Sequence, residues 1–220
     1  MSETVTVALS KGKLLAPTLA LFHRAGYGAT DLPSNDRRLV FEFPQFGVTF
    51  LMVRPSDVPT YVEYGAADVG VAGKDLLLEQ NRDVYEPLDL RIGICRIAVA
   101  ALKGREFPNR LSSKLRVATK YPNITERFFN QQGIPVEIIK LYGSIELAPV
   151  VGLAERIVDL VSSGRTLRAN NLIETDVIAW SSARLIVNRA SLKMKHTVVT
   201  TMINRLRESR PRASVLRELE

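Results

Sequence analysis

Asp159-Leu160-Val161-Ser162-Ser163-Gly164-Arg165-Thr166-Leu167-Arg168-Ala169-Asn170 is the stretch that decides the fold. With Ile157 and Val158 before it, the stretch starts as a short apolar strand carrying one carboxylate, Asp159. It then breaks into a small, hydroxyl-rich turn, Ser162 to Thr166, after which a helix can begin. A strand that feeds such a turn presents several free N–H groups and two or three hydroxyls to one point, the make-up of a phosphate cradle. Gly164 lets the backbone approach an anion and take φ > 0. Asp159 stands just upstream, where a carboxylate accepts hydrogen bonds from sugar hydroxyls. A phosphate grip beside a diol acceptor points to a phosphorylated ribose. The same residues also fit an ordinary loop, with Ser163 or Thr166 as a helix cap.

Working outward, the chain repeats the strand-then-helix order. Val5–Leu9 reads as a buried strand, followed by Leu14, Leu15, Leu19, Phe22 and Ala25 at helical spacing and a stop at Gly26. Residues 38–43 and 48–53 read as two strands joined by the turn Pro44-Gln45-Phe46-Gly47. Ser56 or Asp57 can cap a helix through Tyr64; a strand over 68–73 and a short helix over 74–79 follow. Ile92–Leu102 is a long apolar strand, and Lys103–Asn109 is a polar break. Beyond it the spacing predicts strands over 115–119, 136–141, 157–161, 173–179 and 183–187. Helices are predicted over 124–132 and 191–208, with partly helical structure over 147–153.

Such alternation implies α/β architecture with mostly parallel sheets, arranged as two lobes around a central cleft. The expected division is a first lobe of residues 1–97 plus 181–220. The second lobe is residues 98–180 and carries the phosphate turn.

The 220 residues are 46% hydrophobic and 24% charged, the balance of a soluble globular protein. No apolar run reaches the ~20 residues that span a bilayer. The N-terminal residues show neither a basic segment nor a cleavage site, so the expected location is the cytoplasm, with no membrane partner. One cysteine, Cys95, makes no internal disulfide, and with two histidines it builds no structural metal site. Cys95 reads as a buried, inert thiol in an apolar strand. The net charge of +7 favours anionic partners. Aromatics are only 7% and interleave with no basic stripe, which argues against nucleic acid. Much of the excess charge lies near the C-terminus, including Arg205, Arg207, Arg210, Arg212 and Arg217, and reads as a solvated helix face.

Other strand ends carry polar groups. Ser10-Lys11-Gly12-Lys13 places two lysines where a helix begins, a setting that attracts anions, or simply an exposed turn. Tyr142-Gly143-Ser144-Ile145-Glu146 offers a tight turn and a second carboxylate. There Ser144 reads as a cap that Glu146 supports. Asp36-Arg37-Arg38 is a loop whose arginines read as exposed, as do Arg54 and Arg96 at strand edges, although a guanidinium can also clasp polyphosphate. His23 and His196 have no triad partner in the sequence.

Taken together, Leu9–Lys13, Asp57–Asp68, Gly70–Asp75, Ala118–Pro122, Lys140–Pro149 and Asp159–Asn170 resemble the ATP phosphoribosyltransferase family, in order and at family spacing. The length resembles that family's short form. The resemblance implies two α/β lobes of periplasmic-binding-protein (type II) type. It implies transfer of a phosphoribosyl group from 5-phosphoribosyl 1-diphosphate to ATP, releasing diphosphate, as the first step of histidine biosynthesis. It implies Mg²⁺ held mainly through the substrate diphosphate, with no metal-binding residues of its own. It also implies a homodimer that joins a separate regulatory subunit similar to a histidyl-tRNA synthetase catalytic domain, through which histidine inhibits.

By the same resemblance, Ser162, Ser163, Gly164, Arg165, Thr166 and Leu167 hold the 5-phosphate, and Asp159 and Glu146 hold the ribose hydroxyls. Lys11 and Lys13 lie near the polyphosphates, and Arg37 reaches the diphosphate of a neighbouring subunit. The family usually carries arginine at position 13; Lys13 keeps the charge and loses the two-pronged grip. A two-lobed binding protein would carry an export signal or lipid anchor. A purine-salvage phosphoribosyltransferase would carry two adjacent acids before the phosphate turn, where this chain has Asp159-Leu160. A nucleic-acid binder would show steep salt dependence.

Overall fold

The computed structural model describes residues 4–28, 37–104 and 114–212. Asp36, most of the polar break and Arg217 lie outside the described residues. In chain order the elements are β1 (Val5–Ser10), α1 (Leu15–Arg24), β2 (Val40–Phe43), β3 (Val48–Val53), α2 (Val58–Glu63), β4 (Val69–Gly73), α3 (Lys74–Gln80) and β5 (Tyr85–Asp89). There follow β6 (Cys95–Leu102), β7 (Leu115–Thr119), α4 (Pro122–Gln131), β8 (Val136–Lys140), α5 (Leu147–Val150), β9 (Arg156–Val161), α6 (Arg165–Ala169), β10 (Leu172–Ser181), β11 (Ala183–Val187), α7 (Arg189–Met194) and α8 (His196–Ser209). The chain divides into two compact units. One comprises residues 1–77, 81–94 and 182–220, and the other residues 78–80 and 95–181.

The first unit is built on a six-stranded sheet in the order β2-β3-β1-β4-β11-β5. Its central strands β1, β4 and β11 are apolar on both faces. Val5, Val7 and Leu9 of β1 join Phe22, Phe50, Met202 and Leu206 in one core, while Ala8 joins Val58, Val62 and Ile186 in another. Helices cover both faces, which is what near-continuous apolar strands require. Gly70 in β4 permits the close approach of α2, because a Cβ there would stand 2.7 Å from Val62 Cγ2 and 2.9 Å from Val58 Cγ1.

The second unit is a five-stranded sheet in the order β10-β6-β9-β7-β8. Ala98, Ala100, Ile157, Val161, Leu167 and Leu172 form its core with Ile145 and Ala148.

The sheets are mixed rather than mostly parallel. β1 runs parallel to β3 and β4, and β7 parallel to β8 and β9, but β2, β5, β6, β10 and β11 all pair antiparallel. The helical pattern over 191–208 is two helices, because Lys195 leaves the helical region at φ −113° and ψ 36°. Its ammonium instead bonds the buried Asp68 carboxylate at 2.7 Å and Thr4 O at 3.0 Å. Asp57 occupies the N-cap of α2 without a side-chain cap bond and accepts from Ser56 Oγ at 2.9 Å.

Candidate active site

Three parallel strands of the second unit finish at one sheet edge. Thr119 at the end of β7 is level with Lys140 of β8 and Val158 of β9. β6 runs the other way, so its first residues meet the end of β9, with Arg96 opposite Val161 and Trp180 opposite Arg96. The segments that leave carboxyl ends of parallel strands are where α/β folds hold ligands. Here they are Lys120-Tyr121, Tyr142–Glu146 and Ser162–Gly164.

β9 passes to α6 through a tight turn. Gly164 takes the N-cap position at φ 68°, and no side chain caps the helix. This corrects the expected cap by Ser163 or Thr166: with Gly164 at the cap, Ser163 precedes it and Thr166 lies within the first turn. Ser162, Ser163, Arg165 and Thr166 are exposed, while Gly164 is buried. Among the described residues, nothing accepts from the amides of Ser163, Gly164, Arg165 and Thr166. A run of unsatisfied donors at one turn is able to hold an anion. Leu167 buries its side chain in the core with Ile157 and Val161, so it offers the turn its backbone only.

Asp159 shares a face of β9 with Ile157 and Val161, as the period of two demands. Its Oδ1 accepts from Leu160 N at 2.7 Å and from Lys120 Nζ at 3.1 Å. Oδ2 has no protein partner among the described residues. Lys120 is placed by Thr119, whose buried hydroxyl donates to Val158 O at 2.8 Å and accepts from Tyr121 N at 2.9 Å. Glu146 is half-buried at the N-cap of α5 and makes no side-chain cap bond. Ser144 does not cap either. It sits at φ 50° and contributes its carbonyl to Leu147 N at 3.1 Å.

Arg96 departs from the reading as an exposed strand-edge arginine. Its Nε and Nη2 clasp Glu174 at 2.6 and 2.5 Å, and its Nη1 donates to Ser162 O at 3.2 Å. The Glu174 hydrogen bonds hold this guanidinium above its ordinary range against the opposing effect of burial. Arg168 Nη2 donates to Ser163 O at 2.9 Å. Cys95 is half-buried at the first position of β6, rather than in the core.

The remaining predicted residues belong to the first unit. Lys11 and Lys13 are exposed in the turn after β1, where Gly12 takes φ 115° and its carbonyl accepts from Leu15 N. Arg37 is exposed in the coil before β2. His23 and His196 are both exposed. Among the described residues no three His, Cys, Asp or Glu side chains converge as a metal site, and no helix is long and apolar enough to cross a membrane.

Lys120, Arg96, Glu174 and Arg168 surround the candidate site, and sequence reasoning left them without a role. Lys120 lies within Ala118–Pro122, but nothing local ties it to a carboxylate 39 positions later.

The sequence profile of the ATP phosphoribosyltransferase family matches residues 54–208. The chain belongs to the ATP phosphoribosyltransferase family. It is 54% identical over 208 residues to the ATP phosphoribosyltransferase of Geobacter metallireducens, covering 94% of this chain and 98% of the relative. The solved ATP phosphoribosyl transferase (HisG:HisZ) complex from Thermotoga maritima matches with a TM-score of 0.81 at 34% identity, over 94% of this chain and 98% of that one. The periplasmic aliphatic sulphonate binding protein SsuA of Escherichia coli matches with a TM-score of 0.63 at 11% identity, over 95% of this chain and 73% of that one. That likeness shows the fold alone, an α/β architecture of periplasmic-binding-protein type. The enzyme is therefore a transferase that condenses ATP with 5-phosphoribosyl 1-diphosphate, the first step of histidine biosynthesis.

Proposed function

We propose that the turn Ser162–Leu167 holds the 5-phosphate of phosphoribosyl diphosphate and that Asp159 holds the ribose hydroxyls. The observation that carries this reading is the set of unsatisfied amides at Ser163–Thr166, one strand end away from a carboxylate whose Oδ2 is unengaged. Lys120 keeps Asp159 in place at the sugar. Glu146, at the start of α5, adds the second acceptor. Lys11, Lys13 and Arg37 serve the polyphosphates, as the family resemblance implies.

Adenine N1 of ATP attacks C1 of the ribose. The N1–C1 bond forms as the C1–O bond breaks, and the diphosphate leaves with the electron pair. No protein nucleophile is needed, so the chain's task is alignment and charge neutralisation. Mg²⁺ supplies neutralisation of the departing diphosphate when bound. The residues present fit an ion that arrives on the substrate. Asp159 Oδ2 and Glu146 are two separate carboxylates, too few to hold a hard cation without substrate oxygens and water.

The enzyme works in the cytoplasm as a homodimer within a hetero-oligomer that includes a regulatory subunit. The Thermotoga maritima complex, which contains HisZ, supports the hetero-oligomer. The test mixes ATP, phosphoribosyl diphosphate and Mg²⁺, with and without a HisZ-type subunit, and follows product absorbance. The double variant Asp159→Asn/Thr166→Ala is compared with wild type. Product formation by wild type, with much weakened use of the sugar diphosphate by the folded variant, is expected. Wild-type kinetics in the folded variant refute the site.

A further inference from the structure

Two arginines reach the phosphate turn from its carbonyl side. Arg96 Nη1 donates to Ser162 O at 3.2 Å, and Arg168 Nη2 donates to Ser163 O at 2.9 Å. In a planar trans peptide the C=O and the following N–H point in opposite directions. A donor fixed on Ser162 O therefore turns the Ser163 N–H to the far side, and one fixed on Ser163 O does the same for Gly164 N–H. Both amides are without an acceptor among the described residues. Hydrogen bonding at the carbonyl also polarises the peptide and strengthens its N–H as a donor.

Arg96 is not available as a phosphate ligand of its own. Its Nε and Nη2 are both committed to the Glu174 carboxylate, which cancels its charge, and its Cζ lies 5.9 Å from the Trp180 ring centroid. The guanidinium is thus locked by a two-pronged carboxylate on one side, with its remaining edge on the turn. Gly164 completes the arrangement. A Cβ there would stand 3.1 Å from Arg168 Nη1 and 3.6 Å from Glu174 Oε1, so both side chains lie directly under the turn.

We propose that Arg96, locked by Glu174, and Arg168 are positioning residues that pin the Ser162 and Ser163 carbonyls and so aim the Ser163 and Gly164 amides at the substrate 5-phosphate. This rests on the reading of the turn as the 5-phosphate site. It assigns two cations beside a phosphate to the backbone rather than to the ligand.

The test uses the full chain and a readout separate from turnover: calorimetric affinity for ribose 5-phosphate and for ribose. Steady-state KM values for both substrates accompany it. Arg96→Lys keeps a charge but cannot clasp Glu174 and reach Ser162 O together. It is expected to weaken ribose 5-phosphate binding about tenfold and to raise KM for phosphoribosyl diphosphate similarly, with KM for ATP within about twofold of wild type. Glu174→Gln, close in shape, is expected to show a smaller loss in the same direction, and Arg168→Met a loss like that of Arg96→Lys. If Arg96→Lys fails to fold, Glu174→Gln and Arg168→Met carry the test. Unchanged ribose 5-phosphate affinity in the folded variants overturns the proposal while wild type still prefers ribose 5-phosphate to ribose. Tighter binding in Glu174→Gln also overturns it, since that marks Arg96 as a direct ligand released by loss of its partner. A wild type with no preference for ribose 5-phosphate overturns both this proposal and the phosphate-turn reading.

Discussion

Lys120 Nζ lies 3.1 Å from Asp159 Oδ1, joining the carboxyl end of β7 to the third-last residue of the strand beside it. The Leu160 amide reaches the same oxygen, so both intramolecular bonds fall on one side of the carboxylate. The other oxygen is the one a ribose diol would meet. Hydrogen bonds to a charged acceptor contribute about 1.5–3 kcal/mol each. Asp159→Asn removes the charge and keeps the shape, so kcat/KM for phosphoribosyl diphosphate should fall about ten- to hundredfold. KM for ATP should stay near the wild-type value. Lys120→Met should cost less, because that ammonium is more than a third exposed and water screens it. Steady-state kinetics with each substrate varied in turn decide the matter, and an unaltered sugar-diphosphate specificity constant in Asp159→Asn removes Asp159 from the site.

Gly164 sits at φ 68°, in the left-handed region. Alanine there costs roughly 1–2 kcal/mol of backbone strain. Its Cβ also meets Arg168 Nη1 at 3.1 Å, a contact relieved only if that side chain gives up part of its hold on Ser163 O. Gly164→Ala should lower Tm by a few degrees, at about 2–4 °C per kcal/mol for a chain of this size. It should raise KM for phosphoribosyl diphosphate more than KM for ATP. A thermal melt and the two KM values test this; equal effects on both substrates would show that the turn does not discriminate between them.

The βα unit at 157–170 was legible because its signals are local: an apolar run, then Ser-Ser-Gly, then helix formers. The edge strand β5 was not, since Tyr85-Glu86-Pro87-Leu88-Asp89 alternates poorly and holds a proline, which sheets accept mainly at edges and irregularities. The break at Lys195 was hidden because its cause is Asp68, 127 positions away. Arg96 and Glu174 are 78 positions apart and meet only because β10 pairs with β6. Spacing within a segment reports faces and turns. It carries no trace of which side chains meet once strands have paired.

Asn188 shows how one buried amide joins several elements of the first unit. Its Oδ1 accepts from Ser191 N at 2.9 Å and so caps α7. Its Nδ2 donates to Val62 O at 2.8 Å and Glu63 O at 3.0 Å at the end of α2. Asn188→Ala removes the cap and leaves Glu63 O without its partner, while Val62 O keeps its bond from Gly65 N at 3.1 Å, a loss of about 2 kcal/mol. Asn188→Asp is the sharper test. Aspartate caps helices as well as asparagine, so the cap alone predicts a neutral change. Because the substitution sets a carboxylate against two carbonyl oxygens, it should destabilise at least as much as alanine. A denaturant melt of Asn188→Asp at wild-type stability would show that the Nδ2 bonds contribute nothing.

Glu155 ties the turn before β9 to β7. Its carboxylate accepts from Arg116 N at 2.8 Å and from Arg116 Nε at 3.0 Å. Burial pushes its pKa up, but the Arg116 side-chain bond, the amide bond and the Arg116 charge together outweigh burial and leave it below the usual glutamate value. A depressed native pKa means that the unfolded chain binds the proton more readily. Stability from this carboxylate is therefore fully present above the unfolded value, about 4.3, and is lost as pH falls through the lower native value. Glu155→Gln should thus be less stable than wild type at pH 7. The gap should hold down to about pH 5 and close progressively below about pH 4. Urea melts of the two proteins across pH 3–8 measure it. A gap that stays constant through the acid range would mean that the Glu155 charge does not contribute, and that the bonds to Arg116 work equally well with a neutral partner.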